Sequence, residues 1–513
     1  MDVDSKTKGP SSVTLREPVA VATTPRWGWA AVGLILIAIH AGLLALSPRF
    51  AYGVLPVLER PTGRIVALLM GAGATYLMAI WWLKPPAQPG RAWWGWMILV
   101  GAAMRALMFP STPILETDYF RYLWDGAVVA HGHNPYAYSP QAVLDGHAPA
   151  ELVELGNASG LVLRRVNQPH LTTIYPPTAQ AAFALSYRLL PWRIEGLRLT
   201  FLLFDLATFG LLIGLLWQLE RPWSWSLVYW WNPLLVKEGV NAAHMEMILL
   251  PLLVAAVWLA VRRRHVAGAM ALALAVGAKL WPVLLLPALL RQQNRAWRQM
   301  GWCTFVFSAA AIVIVAPMLL TRFDREAGVV AYAATWQVNA SLYQGVLWAA
   351  GRIASQNPQA AARIAVALVL LGWTGWLCRR PAADGPAVGE RSLWIIAGLF
   401  LLSPTQYPWY WLWLLPLLAL RPSPALLVLT ATLPLYYLRF PMRELGWSAW
   451  FHHGVVWLQF LPAYALLARE ARRRVRSTKD RQGKGTLGAS RTPGKHRNYH
   501  PHDATHWRTG LPL

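Results

Sequence analysis

WAAVGLILIAIHAGLLALS, residues Trp29–Ser47, runs without one Asp, Glu, Lys or Arg. As an α-helix it would reach about 28 Å, close to the roughly 30 Å of hydrocarbon in a bilayer. Such a run behind Arg26 could be a signal peptide. The polar leader before it is long, however, and further apolar runs follow at once, which favours an uncleaved anchor. Similar runs recur at Ile65–Leu83, Trp93–Phe109, Leu199–Leu219, Met300–Leu320 and Ala425–Leu438. Shorter ones bring the expected total to roughly 12–14 membrane segments. Lipid offers the backbone no hydrogen bonds, so spanning segments must satisfy their own. The fold class is therefore all-α, a polytopic membrane helical bundle.

Composition agrees. Of 513 residues, 56% are hydrophobic and 14% charged, whereas soluble domains carry about 25% charge. Mean hydropathy is +0.35. The 30 Trp suit a membrane interface, and their faces also suit sugars. The net charge of +24 does not point to nucleic acid, because the arginines cluster between apolar runs and near the C-terminus. That is the positive-inside pattern. Cys303 and Cys378 fall inside apolar runs and read as packing residues.

Arginine placement divides the chain into sides. Arg262-Arg263-Arg264, the Arg291/Arg295/Arg298 group, Arg379-Arg380, Arg421 and Arg472-Arg473-Arg474 are expected to face the cytoplasm. Residues 110–177, 321–363, 403–408 and 439–453 then fall outside. Residues 1–26 read as a disordered cytoplasmic leader, 27–469 as the transmembrane domain, and 470–513 as a basic, disordered cytoplasmic tail. Leu227–Val240 fits no full crossing. Asn232-Pro233 breaks its helix pattern, so it is expected to be re-entrant or half-spanning.

The loop 110–177 is the longest polar excursion inside the membrane region, and long loops in compact folds are usually functional. It holds ETDYFRYLWDG, Glu116–Gly126, followed by His133-Asn134-Pro135-Tyr136. A carboxylate at a partly dry rim keeps its charge beside an arginine, here Arg121, and can take a proton from a hydroxyl. The bland alternative makes Asp118 or Asp125 a helix cap salt-bridged to Arg121. Tyr175-Pro176-Pro177 is a helix start, with or without a site role for Tyr175. A second polar cluster holds Lys237, Glu238, Asn241, His244 and Glu246. His244 and Glu246 are too few ligands to predict a metal, and polar contacts to sugar or phosphate fit better. Lys279 stands between two apolar half-segments, where an unpaired charge costs several kcal/mol, and a lipid phosphate would pair with it. The turn Ser403–Tyr410 brings Trp409 and Tyr410 to the outer side. Asn157-Ala158-Ser159 and Asn339-Ala340-Ser341 match the N-glycosylation pattern. No Walker loop or dinucleotide fingerprint is present in context.

Together these pieces resemble the GT-C class of integral-membrane glycosyltransferases, most of all bacterial mannosyltransferase-like members that use polyprenyl-phosphate sugars. The likeness rests on Asp118–Gly126 with Asn134-Pro135-Tyr136, Tyr175-Pro176-Pro177, Asn232-Pro233 with Asn241 and His244, Lys279, and Pro408-Trp409-Tyr410. It covers about residues 110–420. The resemblance implies a general base in the outer loop, Asp118 or Glu116, inversion at the sugar carbon, and a lipid phosphate leaving. Arg121 and Lys279 are then candidates for the phosphate. Tyr122, Tyr136, Tyr175, Trp409 and Tyr410 are candidates for sugar or lipid contacts, with Asp125, Asn134, Asn241, His244 and Glu246 as further polar contacts. The chain departs from the pattern in having Glu246 where Asp is typical, no glycine in Asn241-Ala242-Ala243-His244, and two spans before the acidic loop rather than one.

The expected protein is a multi-pass plasma-membrane enzyme of a bacterial inner membrane. It would move a hexose such as mannose from a polyprenyl-phosphate donor to a glycan, glycolipid or protein acceptor outside, without a cofactor, a divalent metal being the less favoured alternative. Rival readings are a lipid or solute transporter or flippase, which broken helices would suit, and a glycan polymerase or ligase.

Overall fold

The computed structural model describes residues 26–292, 296–321 and 327–488. The expected leader, apart from Arg26, and the last part of the expected tail, 489–513, lie outside the described residues. Among the described residues there is no strand, only the isolated bridges Gln292–Ala382 and Val338–Thr405. The protein is all-α.

Among the described residues, seven helical stretches are long and apolar enough to cross a membrane: Trp27–Phe50, Thr62–Leu83, Ile194–Gln218, Trp297–Leu319, Pro358–Cys378, Gly385–Leu402 and Pro424–Glu444. Glu246–Val261, His265–Ala278, Trp281–Leu290 and Pro408–Leu420 are shorter and apolar. The principal helices are α1 (Arg26–Leu46), α2 (Thr62–Met78), α3 (Arg91–Met108), α4 (Tyr119–Ala130), α5 (Pro177–Leu189), α6 (Ile194–Gln218), α7 (Glu246–Val261), α8 (His265–Ala278) and α9 (Trp297–Leu319). They are followed by α10 (Leu342–Ile353), α11 (Pro358–Cys378), α12 (Gly385–Leu402) and α13 (Val456–Gly488). The last helix carries regular structure through 470–488, into the stretch read as tail.

The loop 110–177, expected on the outer side, is packed structure. It holds α4, two short helices at Pro140–Leu144 and Ala150–Ala158, and a turn at Leu163–Arg165. Helix α4 is buried from Phe120 to Val128 and packs along α5. Gly126 allows this approach: a Cβ there would come within 2.4 Å of the Phe183 carbonyl oxygen on α5. Pro177 sits in the first turn of α5, where its missing N–H costs nothing.

The segment that fits no full crossing is a broken helix. Leu227–Trp230 is helical, Asn232 then caps a new turn by accepting the Leu235 N–H at 2.9 Å, and Val236–Asn241 widens to a π-turn. Every residue from Ser226 to Leu250 is buried. Irregular backbone at membrane depth is tolerable where protein encloses it. A second brace stands beside it. Arg105 of α3 pairs with Asp205 of α6 at 2.5 Å, lies 3.7 Å over the Trp230 ring, and donates to the Trp230 carbonyl at 2.8 Å.

Three of the basic clusters lie close together in the fold. Arg291 donates to the Arg379 carbonyl at 2.9 Å, and Gln292 to the Ala260 carbonyl at 3.2 Å. Asn339, in one of the two N-glycosylation pattern matches, is buried and donates to the Gln406 carbonyl and to Gln459 Oε1, both at 3.0 Å. A buried amide with both hydrogens engaged is no acceptor for a glycan.

Candidate active site

Two carboxylates two residues apart in one loop take opposite roles here. Glu116 is fully engaged. Its Oε1 accepts the backbone N–H groups of Thr117 at 2.8 Å and Asp118 at 2.9 Å, and its Oε2 lies 3.1 Å from His244 Nε2. His244 also stands 3.5 Å from Glu238, which pairs with Lys237 at 3.1 Å. Tyr437 closes this buried chain by bonding both Lys237 and Glu238. The residues just before the linked pair, Leu115 and Ala243, have φ of +55° and +52°. Such conformations cost a non-glycine residue about 1–2 kcal/mol and collect at functional sites. Ala243 occupies the stretch where the resemblance leads one to expect glycine.

Asp118 is held lightly. It precedes α4 but its side chain caps nothing, so the helix-cap reading fails for it. Its Oδ1 accepts one hydrogen bond, from Asn167 at 3.2 Å. Burial first, and then the neighbouring Glu116 charge, raises its pKa to about 7. Glu116 moves the other way, to about 2: burial alone would raise it, but the charge and hydrogen bond of His244, with Lys237 behind, overcome that. Environments that push paired acids apart are a mark of acid–base sites.

Asp118 lines two adjoining cavities. The larger, about 760 Å³, is walled by aromatic and apolar side chains, among them Leu171, Ile174, Trp281, Val329, Trp336 and Trp413. The smaller, about 290 Å³, is more polar, with Thr112, Glu116, Thr117 and Tyr119 in its wall. All four stretches that the arginine pattern assigns to one side contribute to the larger cavity or its rim: 110–177 through Asp118 and Tyr175, 321–363 through Tyr332, 403–408 through Tyr407, and 439–453 through Arg439.

Of the residues singled out from sequence, Asp118, Arg121, Tyr122, Tyr175, Glu246, Lys279, Trp409 and Tyr410 line the larger cavity, and Glu116, Asp118 and Trp409 the smaller. Tyr122 is stacked on Phe183 at 4.6 Å. Trp409 is sandwiched between His244, centroids 4.0 Å apart, and Tyr407, 4.2 Å. The others hold the frame and line neither cavity. Asp125 accepts from Thr173 at 2.5 Å and Gln180 at 3.1 Å, pinning the strand of loop that leads to Tyr175. Asn134 accepts the Tyr136 N–H, and Tyr136 donates to the Tyr175 carbonyl at 2.8 Å. Asn241 clamps the loop before Glu116 by accepting from Ile114 N and donating to Ser111 Oγ and Thr112 O.

The two cations expected to meet a phosphate are already engaged. Lys279 Nζ donates to Glu246 Oε1 at 2.6 Å and lies 3.9 Å over the Tyr410 ring. Arg121 donates through Nη2 to the carbonyls of Asn167, Gln168 and Leu171 at 3.1–3.2 Å. It positions the loop that supplies Asn167 and, among the described residues, forms no ion pair with an acid. Asn167, Tyr407 and Arg439 also line both cavities and were not singled out as site residues. Nothing local marks Asn167 in its loop, and Arg439 reads as an ordinary residue at the end of an apolar run.

No solved structure matches the chain. The alpha-(1->6)-mannopyranosyltransferase A of Mycobacterium tuberculosis is 25% identical over 411 residues, covering 71% of this chain and 73% of that protein. The family described as alpha-(1->6)-mannopyranosyltransferase, N-terminal domain, matches residues 26–293, more than half the chain and the part that carries Glu116, Asp118, His244, Glu246 and Lys279. That match spans the membrane helices up to residue 293 and the loop that sets Asp118 where the two cavities meet, and by it the chain belongs to this mannosyltransferase family.

Proposed function

We propose that the protein transfers mannose from a polyprenyl-phosphate donor to a glycan or glycolipid hydroxyl on the outer face of the plasma membrane, with inversion. The observation that carries this reading is Asp118, a lightly held carboxylate lining both cavities and raised to about 7. The apolar, aromatic cavity suits a lipid-linked sugar, and the smaller polar one an acceptor. The acceptor oxygen attacks the anomeric carbon as its proton passes to Asp118. The bond to the phosphate oxygen breaks, and its electron pair leaves with the polyprenyl phosphate. That leaving group is a good one, so no cofactor is needed. Glu246 Oε2 is buried and accepts no hydrogen bond among the described residues, so it is free to take a sugar hydroxyl. Convergence of the four same-side stretches supports chemistry on one face.

The test incubates purified protein with labelled mannosyl polyprenyl phosphate and a membrane glycolipid extract. Label in acceptor supports the proposal. Transfer only from a nucleotide-linked mannose, or movement of intact donor across liposomes without transfer, overturns it.

The pKa values add a pH prediction. The base must be ionised, and a raised pKa means that form is lost as pH falls through about 7. kcat/KM should therefore rise with pH to a midpoint near 7 and level off above it. Glu116→Gln removes the neighbouring charge that helps raise Asp118, so its midpoint should move to lower pH. A wild-type profile flat from about pH 5 to 8, or a variant midpoint that moves upward, would contradict the assignment.

A further inference from the structure

The sequence nominates Lys279 and Arg121 for the phosphate, and the structure gives both other partners. A different cation lies where the two cavities adjoin. Asp118, Asn167, Tyr407, Trp409 and Arg439 line both cavities. Among these, Asp118 is the one acid and Arg439 the one cation. In an inverting transfer the attacking hydroxyl and the leaving phosphate sit on opposite sides of one carbon. A base and a guanidinium at the junction of the donor and acceptor cavities match those two requirements.

Arg439 is also available. It is half-buried, and among the described residues no carboxylate stands within ion-pairing reach of it. Its Nη1 donates to Tyr436 Oη at 3.1 Å, and its guanidinium carbon lies 5.5 Å from the Tyr436 ring centre and 5.8 Å from that of Phe440. Tyr436 steadies one nitrogen and the Tyr407 hydroxyl also faces the guanidinium, but both partners are neutral phenols and leave its charge unpaired. A guanidinium fork matches phosphate oxygens in pairs. We propose that Arg439 holds a phosphate ester at the cavity junction, the leaving phosphate of the lipid donor. This rests on the polyprenyl-phosphate reading above.

Arg60 provides the comparison. It too has no carboxylate partner among the described residues, but it lines the smaller cavity alone, with Nε donating to the Leu55 carbonyl at 3.0 Å.

The probes are farnesyl phosphate and farnesol, which differ by the phosphate. Their binding is measured on the purified full chain and on Arg439→Met, Arg439→Lys, Arg60→Met and Lys279→Met. The wild type should prefer farnesyl phosphate, and Arg439→Met should lose about 10- to 100-fold of that preference, the range for one charge-assisted contact. Arg439→Lys should recover part of the loss, which also shows that the fold tolerates the site. Arg60→Met should keep the preference. Full preference in Arg439→Met, or its loss in Arg60→Met or Lys279→Met instead, overturns this assignment and leaves the donor reading standing. No preference in the wild type defeats the donor reading itself, and this proposal with it. If Arg439→Met binds farnesyl phosphate normally yet raises only the acceptor KM, the anion belongs to the acceptor and the donor assignment is wrong.

Discussion

Asp118→Asn is expected to lower kcat by about 10²–10⁴, the usual loss for a missing general base, with donor binding nearly intact. Asparagine keeps the size of the side chain and an oxygen for the Asn167 amide that now reaches Oδ1. It cannot take a proton. The helix should not suffer, because the Asp118 side chain caps nothing. Glu116→Gln should cost less. Its amide oxygen can still accept the Thr117 and Asp118 N–H groups, so the turn survives, while the charge facing His244 is lost. The double variant should be little worse than Asp118→Asn alone, because residues acting as one unit are not additive. Single-turnover rates with labelled donor separate the cases. If Glu116→Gln is dead and Asp118→Asn active, the two roles are exchanged. If both turn over normally while folding normally, the outer loop does not carry the chemistry.

Why the acids could be found but not ranked from sequence is a matter of range. Their spacing, and their place in the one long polar loop, are local facts. What sets Glu116 apart is His244, on the broken segment 128 positions along the chain. No pattern within the loop encodes that partner. The same limit acts on Asp125 and Arg121. Both are charged and sit beside Asp118, and both hold loop to helix, Asp125 outside the two cavities and Arg121 in the wall of the larger one. A buried polar group needs partners whether or not it does chemistry.

Long-range apolar patterning was easier to read. The spans announce themselves because lipid demands self-satisfied helices, and the arginines order the sides. The break at Asn232-Pro233 was legible from proline alone, since it removes a donor and restricts the residue before it. That this break is enclosed on every side was not, because burial depends on helices distant in the chain, α2, α3 and α6 before it and Pro408–Leu420 after it. Arg439 escaped notice for a related reason: an arginine closing an apolar run reads as a topology mark, and only the enclosing aromatics and the missing acid make it something else.

Lys279→Met should destabilise the folded protein by about 3 kcal/mol, the low end for removing one partner of a buried pair. The low end applies because Lys279 is 21% exposed while Glu246 is 1% exposed. The loss comes from what remains. Glu246 Oε2 already lacks a hydrogen bond, and without Lys279 its Oε1 would lack one too, leaving a bare charge in the cavity wall. Glu246→Gln in the same chain removes that charge, so the double variant should recover most of the stability, a coupling that independent sites would not show. Thermal unfolding in detergent, monitored by the exposure of the buried Cys303 and Cys378 thiols, reads both variants. Donor KM supplies the opposing outcome. If Lys279 acts by holding Glu246, the single variant loses stability and the double variant regains it. If Lys279→Met is as stable as the wild type and raises only the donor KM, the lysine serves the phosphate after all. In that case Glu246 is its placeholder, released when the lipid binds.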